Sequence, residues 1–292
     1  MTTSGTVLVT GATGNIGSGL VPTLLGAGVK VRALVRDEAK AAQLRTQGAE
    51  VVVGDLENLD SVKKAVAGVS KIFLLTWNGP TAPKQASNVI QVAKQAGKPH
   101  IVRLRGYGSP KSRIIRDHDT IDKELKASGL PYTIVAPTFF MQNSMMAAQT
   151  VASDGKIYMP FKDGKVGMPD VRDIVAVAAK VLTTDGHQGK EYVVTGPKSI
   201  SFHDVASALS KALGKEVQYV NVPPEAGKQA MMGMGMPEWI VDGYMELMED
   251  FADNWGDRVS PDVQNLLGRP GHSVEQFAQD FAKYFQAVPA SA

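Results

Sequence analysis

The chain has 292 residues, with 31 lysines and arginines against 29 acidic residues and a formal net charge of +2. This near-neutral balance, without a run of basic residues, excludes the electrostatic footprint of a nucleic-acid-binding protein. The absence of cysteine excludes disulfides and thiolate chemistry, and the five histidines show no metal-ligand spacing, so we expect no metal site.

The start of the chain predicts a cytoplasmic protein without a membrane partner. Its first ten residues, MTTSGTVLVT, lack the basic start and the long apolar core of a signal peptide. No apolar stretch approaches the ~20 residues that a membrane-spanning helix needs.

Strand-like apolar runs alternate with helix-like segments over the first half of the chain. Strands are predicted over 6–10, 31–35, 51–53, 72–76, 101–104 and 132–136, and helices over 16–27, 38–47, 61–67, 84–95 and 119–127. Runs of β-branched residues without polar alternation indicate strands buried on both faces, as in a parallel sheet. With right-handed crossovers, this order predicts an α/β fold with a Rossmann-type, doubly wound parallel sheet.

The second half of the chain predicts a smaller C-terminal lobe of mixed α/β and helical structure. Ser201 and Asp204 form a capping-box pattern for a helix that ends before Gly214, and a strand is predicted over 217–220. Residues 223–270, rich in methionine and glycine, are typical of a helical, partly mobile appendage. Two apolar stripes follow at helical spacing: Ile240, Tyr244, Leu247, Met248 and Phe251, then Val274, Phe277, Phe281 and Phe285. The first indicates helix packing or a subunit contact, which leaves a homo-oligomer open, and the second indicates core.

A glycine-rich turn, VLVTGATGNIG over 7–17, is the most specific motif. A dinucleotide pyrophosphate needs close approach of the backbone and the free N–H groups of a helix N-terminus. Gly11 is expected to make the tight turn, Gly14 to admit the pyrophosphate and Gly17 to let the helix pack on the strand. The predicted contacts of the turn are Gly11, Thr13, Gly14, Asn15, Ile16 and Gly17.

Arg36, at the end of the second predicted strand, favours NADPH over NADH. A guanidinium pairs with the 2′-phosphate of NADP, whereas NADH sites usually carry an acid there. The alternative is a solvated arginine beside Asp37. Asp55 and Leu56, after the third strand, are expected near the adenine, although aspartate is also a common turn residue there.

Several motifs together resemble the NmrA-like branch of atypical short-chain dehydrogenases. They are the glycine turn, Arg36, GDL at 54–56, SGLPYT at 128–133, FFMQN at 139–143, DVRDI at 170–174 and YVVTGP at 192–197. The chain is most similar to the bacterial subgroup of NADPH-dependent quinone oxidoreductases, triphenylmethane dye reductases and azoreductases. The resemblance implies an NADP-binding Rossmann domain over 1–150, with a strand and helix returning from about 165–196, and a mainly substrate-binding lobe over 151–292.

The resemblance also implies which residues approach the nicotinamide. They follow the fourth, fifth and sixth strands: Thr76, Trp77, Leu104, Arg105, Pro137, Thr138, Phe139 and Phe140. Many relatives have serine where this chain has Arg105, and an Arg-Pro pair where it has Ala136 and Pro137.

The chain lacks a convincing Tyr/Lys pair four residues apart on a helix, with which ordinary short-chain dehydrogenases protonate an alkoxide. Tyr107 with Lys111 and Tyr158 with Lys162 match by count, but each segment contains a proline and lies outside the expected helix. Reduction of a conjugated acceptor is easier, because the added electrons are delocalised. His118 is the predicted proton donor, with a surface or structural histidine as the alternative.

The predicted substrate contacts form an apolar cover for a small aromatic or conjugated molecule. They are Phe140, Met141, Met145, Met232 and Met236, with core packing as the alternative for the methionines. The sequence thus predicts an NADPH-dependent reductase that transfers hydride to a quinone, azo compound, imine-like or triphenylmethane dye without a Ser-Tyr-Lys triad. The alternative is an NmrA-type regulator that binds NADP without turning it over.

Overall fold

The computed structural model describes residues 5–286. Its strands are β1 (Thr6–Val9), β2 (Lys30–Val35), β3 (Glu50–Val53), β4 (Val69–Leu74), β5 (His100–Leu104), β6 (Tyr132–Pro137), β7 (Lys156–Met159), β8 (Lys190–Val194) and β9 (Gln218–Asn221). Its helices are α1 (Gly17–Gly26), α2 (Glu38–Thr46), α3 (Leu59–Val66), α4 (Ala82–Gln95), α5 (Arg113–Ala127), α6 (Ala148–Asp154), α7 (Val171–Thr183), α8 (Phe202–Leu213), α9 (Pro224–Gly233), α10 (Glu238–Ala252), α11 (Asp262–Leu267) and α12 (Val274–Asp280). Short 3₁₀ helices cover Met141–Ala147 and Ala282–Phe285.

Seven strands form one sheet in the order β3-β2-β1-β4-β5-β6-β8. The pairs from β3 to β6 are parallel. The chain builds outwards from β1 to β3 and then returns to place β4 on the other side of β1. This reversal is the topological switch point at which doubly wound sheets bind ligands, beyond the carboxyl ends of the strands. The predicted fold class is confirmed.

The chain divides into two compact units. The first, which we call the sheet unit, contains the described residues up to Gly106 together with Arg116–Ala136 and Arg172–Val194. The second unit contains Tyr107–Ile115, Pro137–Val171 and the described residues from Thr195 onwards. The domain boundary expected at residue 150 stays a prediction.

Apolar side chains fill the interior of each unit. In the sheet unit, one cluster joins strand residues such as Ile72 and Ile101 to helix residues such as Val89 and Leu125, all buried. Burial of these faces supplies the main stabilising free energy of the sheet unit. In the second unit, the parallel pair β7 and β9 lies beside α8 in a core rich in phenylalanine. The structure places strand β7, which the sequence analysis missed, opposite the predicted strand at β9.

Two local predictions are confirmed and one is wrong. Helix α8 has the full capping box of Ser201 and Asp204, and it ends at Gly214 in the left-handed conformation. The stripe on α10 packs into the core of the second unit. Helix α5, however, begins at Arg113 and not at residue 119. Its early start depends on α10, because Glu246 accepts a hydrogen bond from the Arg113 N–H at 2.6 Å and pairs with its guanidinium at 2.7 Å.

No helix within residues 5–286 combines the length and the apolarity that crossing a membrane requires.

Candidate functional site

The glycine turn connects β1 to α1 at the switch point of the sheet. Gly11 has a φ of 63°, a left-handed conformation that side chains disfavour, and its carbonyl accepts a hydrogen bond from the Gly14 N–H at 3.0 Å. Thr10 anchors the turn, since its hydroxyl oxygen accepts a hydrogen bond from the Leu75 N–H at 2.8 Å, just past the end of β4. The left-handed backbone of Gly11 and the bond from Gly14 therefore form the tight turn that the sequence predicts.

The other two glycines differ in what surrounds them. A Cβ at Gly17 would lie 2.1 Å from the Gly11 carbonyl oxygen and 2.6 Å from the Cα of Ala12, so only glycine fits there. This close approach is to the turn itself, and not to the strand as the sequence analysis expected. A Cβ at Gly14 would meet only the Gly11 oxygen, at 3.4 Å, and the residue is exposed. Space is therefore open above Gly14.

The N-terminus of α1 provides the electrostatic part of the site. The N-cap residue is Ile16, which makes no side-chain capping bond, and the first turn contains no acidic residue. The N–H groups of Ser18 and Gly19 already donate to the Gly14 and Ile16 carbonyls, at 2.9 and 3.2 Å. The positive end of the helix dipole, with no acidic side chain near it, remains available to an anion. Thr13 and Asn15 are exposed on the turn, whereas Ile16 is buried beneath it.

Arg36 is exposed directly after β2, one strand away from the turn. The neighbouring Asp37 caps α2, because its carboxylate accepts a hydrogen bond from the Ala39 N–H at 2.8 Å. The pKa of Glu57 is lowered, first by hydrogen bonds from Thr81 and Gln85 and to a smaller extent by the charges of Lys84 and then Arg36. Arg36 therefore places an exposed positive charge at the carboxyl end of β2.

Asp55 and Leu56 follow β3 beside Arg36. The Asp55 carboxylate accepts a hydrogen bond from the Glu57 N–H at 2.8 Å, which is the turn role that the sequence analysis left open. The Leu56 side chain packs against the core of the sheet unit, and its carbonyl accepts a bond from Asn88 at 2.8 Å. Their contact with an adenine stays a prediction.

Thr76 and Trp77 follow β4, the strand next to the turn. Thr76 is buried, and its hydroxyl has no hydrogen-bond partner among the residues that the structure describes. An unsatisfied buried hydroxyl costs free energy unless a ligand or water pairs with it. Trp77 is 43% exposed. These two residues therefore place an unpaired hydroxyl and a partly exposed aromatic ring, which packs against Gly79, at the carboxyl edge of the sheet.

Leu104 ends the next strand, β5, and Arg105 follows it directly. The contacts of both side chains lie within the sheet unit. Leu104 is buried. The Arg105 guanidinium pairs with Asp122 at 2.6 Å and with Asp119 at 2.8 Å, both on α5. The nicotinamide contact of Arg105 stays a prediction. In the structure, the positive charge of Arg105 is paired with the two aspartates of α5. The sequence analysis missed the roles of Asp119 and Asp122, for which the HDTID run over 118–122 was the available signal.

His118 lies on α5 and is 5% exposed. Its Nδ1 accepts a hydrogen bond from the Gly106 N–H at 2.9 Å, and its Nε2 is 3.2 Å from the Asn78 side-chain oxygen. Burial, followed by the charges of Arg103 and Arg105, holds the pKa of His118 well below its ordinary value. A neutral imidazole with both nitrogens engaged is a poor proton donor, so these contacts favour the structural alternative.

The predicted site residues of the second unit are mostly buried in its core. Pro137 ends β6, and the Thr138 hydroxyl donates to the Gly167 carbonyl at 2.6 Å. Phe139 packs on Phe161 with ring centroids 5.1 Å apart, and Met141 is 1% exposed. For Met141, the structure shows the core packing that the sequence analysis gave as the alternative to a substrate contact.

The other predicted substrate contacts are less buried. Phe140 is partly exposed, Met145 and Met236 are partly buried against the core of the second unit, and Met232 on α9 is 42% exposed. Their contact with a substrate stays a prediction.

Both Tyr/Lys matches are engaged in other contacts. Tyr107 packs against Trp255, 5.1 Å between ring centroids, and its hydroxyl bonds to Arg258. The Tyr158 hydroxyl donates to Asp154 at 2.8 Å, and this bond raises the pKa of Tyr158. An activated phenol needs a lowered pKa, so Tyr158 lacks that property.

The sequence profile of the NmrA-like family matches residues 3–266. This chain belongs to the NmrA-like family. The resemblance predicted from the motifs is therefore confirmed.

Among its NmrA-like relatives, the chain is 40% identical to an NAD(P)H azoreductase of Xenophilus azovorans over 97% of this chain and 100% of that protein. It superimposes with a TM-score of 0.85 on an NADPH-dependent quinone oxidoreductase of Escherichia coli solved with NADPH, at 26% identity, covering 94% of this chain and 99% of that one. A triphenylmethane reductase of Citrobacter sp. solved with NADP(H) gives a TM-score of 0.82 at 28% identity, covering 95% and 99%.

Proposed function

We propose that this NmrA-like protein is an NADPH-dependent reductase that transfers hydride to a conjugated acceptor: a quinone, an azo compound, or an imine-like or triphenylmethane dye. The observation that carries the proposal is its 40% identity to an NAD(P)H azoreductase across the whole of that protein. The glycine turn and Arg36 in the sheet unit support it on physical grounds.

The residues of the sheet unit fit NADPH. The open space above Gly14 and the uncapped N-terminus of α1 suit a pyrophosphate. Arg36, exposed one strand away, suits the 2′-phosphate that distinguishes NADPH from NADH. The unpaired Thr76 hydroxyl supplies a polar contact at the end of β4.

Each of these residues would have a separate task. NADPH, when bound, supplies the hydride from its nicotinamide ring. The turn and α1 would hold the phosphates, Arg36 would select the cofactor, and Thr76 with Trp77 would orient the ring end of the site. Pro137, Thr138 and Phe139 remain proposed contacts on the second unit.

The engagement of Tyr107 and Tyr158, the tyrosines of the two Tyr/Lys matches, in other contacts favours a conjugated acceptor. Tyr107 and Tyr158 are bonded elsewhere, so neither provides the positioned acid that an isolated ketone requires. A quinone takes up hydride from NADPH and a proton from water, which yields hydroquinone and NADP⁺. The negative charge that develops on the quinone during hydride transfer is delocalised over its conjugated system, so a positioned acid is not needed.

The test is NADPH oxidation, followed by the loss of its absorbance, with a naphthoquinone, an azo dye, a triphenylmethane dye and the isolated ketone cyclohexanone. We expect turnover with at least one conjugated acceptor and none with cyclohexanone. Tight binding of NADPH without oxidation by any acceptor would replace the reductase by the regulator. Failure to bind either pyridine nucleotide in calorimetry would refute both.

A further inference from the structure

His118 connects two segments that follow neighbouring strands of the sheet unit. Through Nδ1 it holds the N–H of Gly106, two residues beyond the end of β5. Through Nε2 it contacts the side-chain oxygen of Asn78, four residues beyond the end of β4. Asn78 immediately follows Thr76 and Trp77, the residues that we propose to contact the cofactor.

The two partners determine the protonation of the imidazole. A backbone N–H only donates, so Nδ1 must accept and carry no proton. Nε2 therefore carries the proton and donates it to the Asn78 oxygen. An imidazolium would place a second N–H against that of Gly106 and break this bond.

The surroundings also oppose a charged His118. The Arg103 side chain, fully buried on β5, and Arg105 both raise the cost of a further positive charge nearby. The acidic groups of the same region, Asp119 and Asp122 on α5, pair with the arginines. His118 therefore keeps a neutral, doubly hydrogen-bonded ring.

We propose that His118 is a positioning residue, whose neutral ring ties the segment after β4 to the segment after β5 and so holds Thr76 and Trp77 in place for NADPH. This inference rests on the proposed function, since it assigns part of the cofactor site to Thr76 and Trp77. It replaces the proton-donor role that the sequence predicted for His118.

Two substitutions separate the two hydrogen bonds. In His118→Asn the side-chain oxygen takes the place of Nδ1, so the bond to Gly106 is kept and the bond to Asn78 is lost. In His118→Gln the terminal amide takes the place of Nε2, so the bond to Asn78 is kept and that to Gly106 is lost. Asn78→Ala removes the same link as His118→Asn from the other side, and His203→Gln, at an exposed histidine, is the control.

The first measurement is the dissociation constant of NADPH, with kcat, KM and their pH profiles for a quinone. We expect His118→Asn and Asn78→Ala each to weaken NADPH binding about fivefold, the effect of one hydrogen bond. Combining them should add little, because both remove one link. His118→Gln should retain most of the affinity. All pH profiles should keep the wild-type shape.

The second measurement is amide hydrogen exchange of residues 75–81 in the protein without nucleotide. Exchange should accelerate in His118→Asn and Asn78→Ala, and stay near the wild type in His118→Gln and His203→Gln. Unchanged exchange in His118→Asn, or loss of the alkaline limb of the kcat profile with unchanged NADPH affinity, would overturn the inference. A wild-type protein that binds no NADPH would instead refute the proposed function, while the exchange data would still report on the link.

Discussion

Single residues in the glycine turn illustrate two different reasons for glycine. Gly17 is required by the fold, because a Cβ would collide with the turn backbone, whereas Gly14 has room for one. At Gly14 the reason that we propose is the close approach of a ligand to the backbone. Arg36 resembles Gly14 in that folding does not require it, because its side chain is exposed and lies outside the core. Substitutions at Gly14 and Arg36 therefore test binding with little effect on folding.

Arg36→Ala should weaken NADPH binding by about 1–3 kcal/mol and leave NADH binding nearly unchanged, because only NADPH carries the 2′-phosphate. Calorimetry with both nucleotides measures the difference. The control is Arg45→Ala, which should alter neither affinity. It removes another surface arginine, which pairs with Glu38 on α2. Equal losses for both nucleotides in Arg36→Ala would refute the 2′-phosphate contact.

Gly14→Ala should weaken both NADPH and NADH by roughly tenfold or more, because a methyl group enters the space proposed for the pyrophosphate. The melting temperature without nucleotide should change little, since the new Cβ has only one contact, at 3.4 Å. Gly26→Ala at the end of α1, where a Cβ meets nothing within 4 Å, is the matched control. Wild-type affinity in Gly14→Ala would rule out close backbone approach at this position.

At the scale of elements, the two ends of the parallel strands differ in character. The carboxyl ends carry the turn, Arg36 and Thr76. The amino ends of β5 and β6 carry a buried polar network, in which His100 contacts the Thr133 hydroxyl at 2.9 Å and this hydroxyl donates to the His187 carbonyl at 2.7 Å. His187 bonds in turn to Tyr192 of β8 at 2.8 Å. This network ties three strands together, and burial lowers the pKa of both His100 and His187.

Acidification should destabilise this network. Burial, with a smaller effect of Lys71, lowers the pKa of His100 from 6.5 to about 4. The unfolded chain therefore takes up a proton first, and stability present above pH 6.5 is lost as the pH falls towards 4. We expect a loss of about 2 kcal/mol from His100 in urea unfolding over this range. His100→Gln keeps a donor towards Thr133 and should reduce this pH dependence of stability. An undiminished dependence in this variant would contradict the assignment of the effect to His100.

At the scale of the whole molecule, each unit has its own core. The second unit is centred on phenylalanine, with Phe161 0% exposed and ring centroids 5.1 Å from Phe139 and 4.8 Å from Phe202. Residues from separate parts of the sequence meet there. The sequence analysis assigned Phe139 to the cofactor site, and the structure shows its ring within this cluster.

Phe161→Ala should lower the free energy of unfolding by about 3–5 kcal/mol, because it removes a buried ring and leaves a cavity. Chemical denaturation measures the change. Tyr284→Ala, at an aromatic residue that is 62% exposed, is the control and should cost less than about 1 kcal/mol. A similar loss for both variants would show that burial does not govern their contributions.

The sequence by itself determined the alternation of strands and helices, the glycine turn and the capping box of α8. These features depend on local periodicity and backbone conformation, which neighbouring residues encode. The predicted strand over 72–76 was shifted against β4, Val69–Leu74, because apolar periodicity does not mark the residue at which pairing with a neighbouring strand stops.

Only the tertiary structure decided the early start of α5, the ion pairs of Arg105 and the neutral state of His118. Each depends on groups from other parts of the chain. Glu246 of α10 bonds to Arg113 at the start of α5, and the aspartates of α5 pair with Arg105. Gly106 and Asn78 bond to the two ring nitrogens of His118. Hydrogen bonds and charges act over a few ångströms of space, so a side chain acquires its chemical state from the neighbours that folding brings to it.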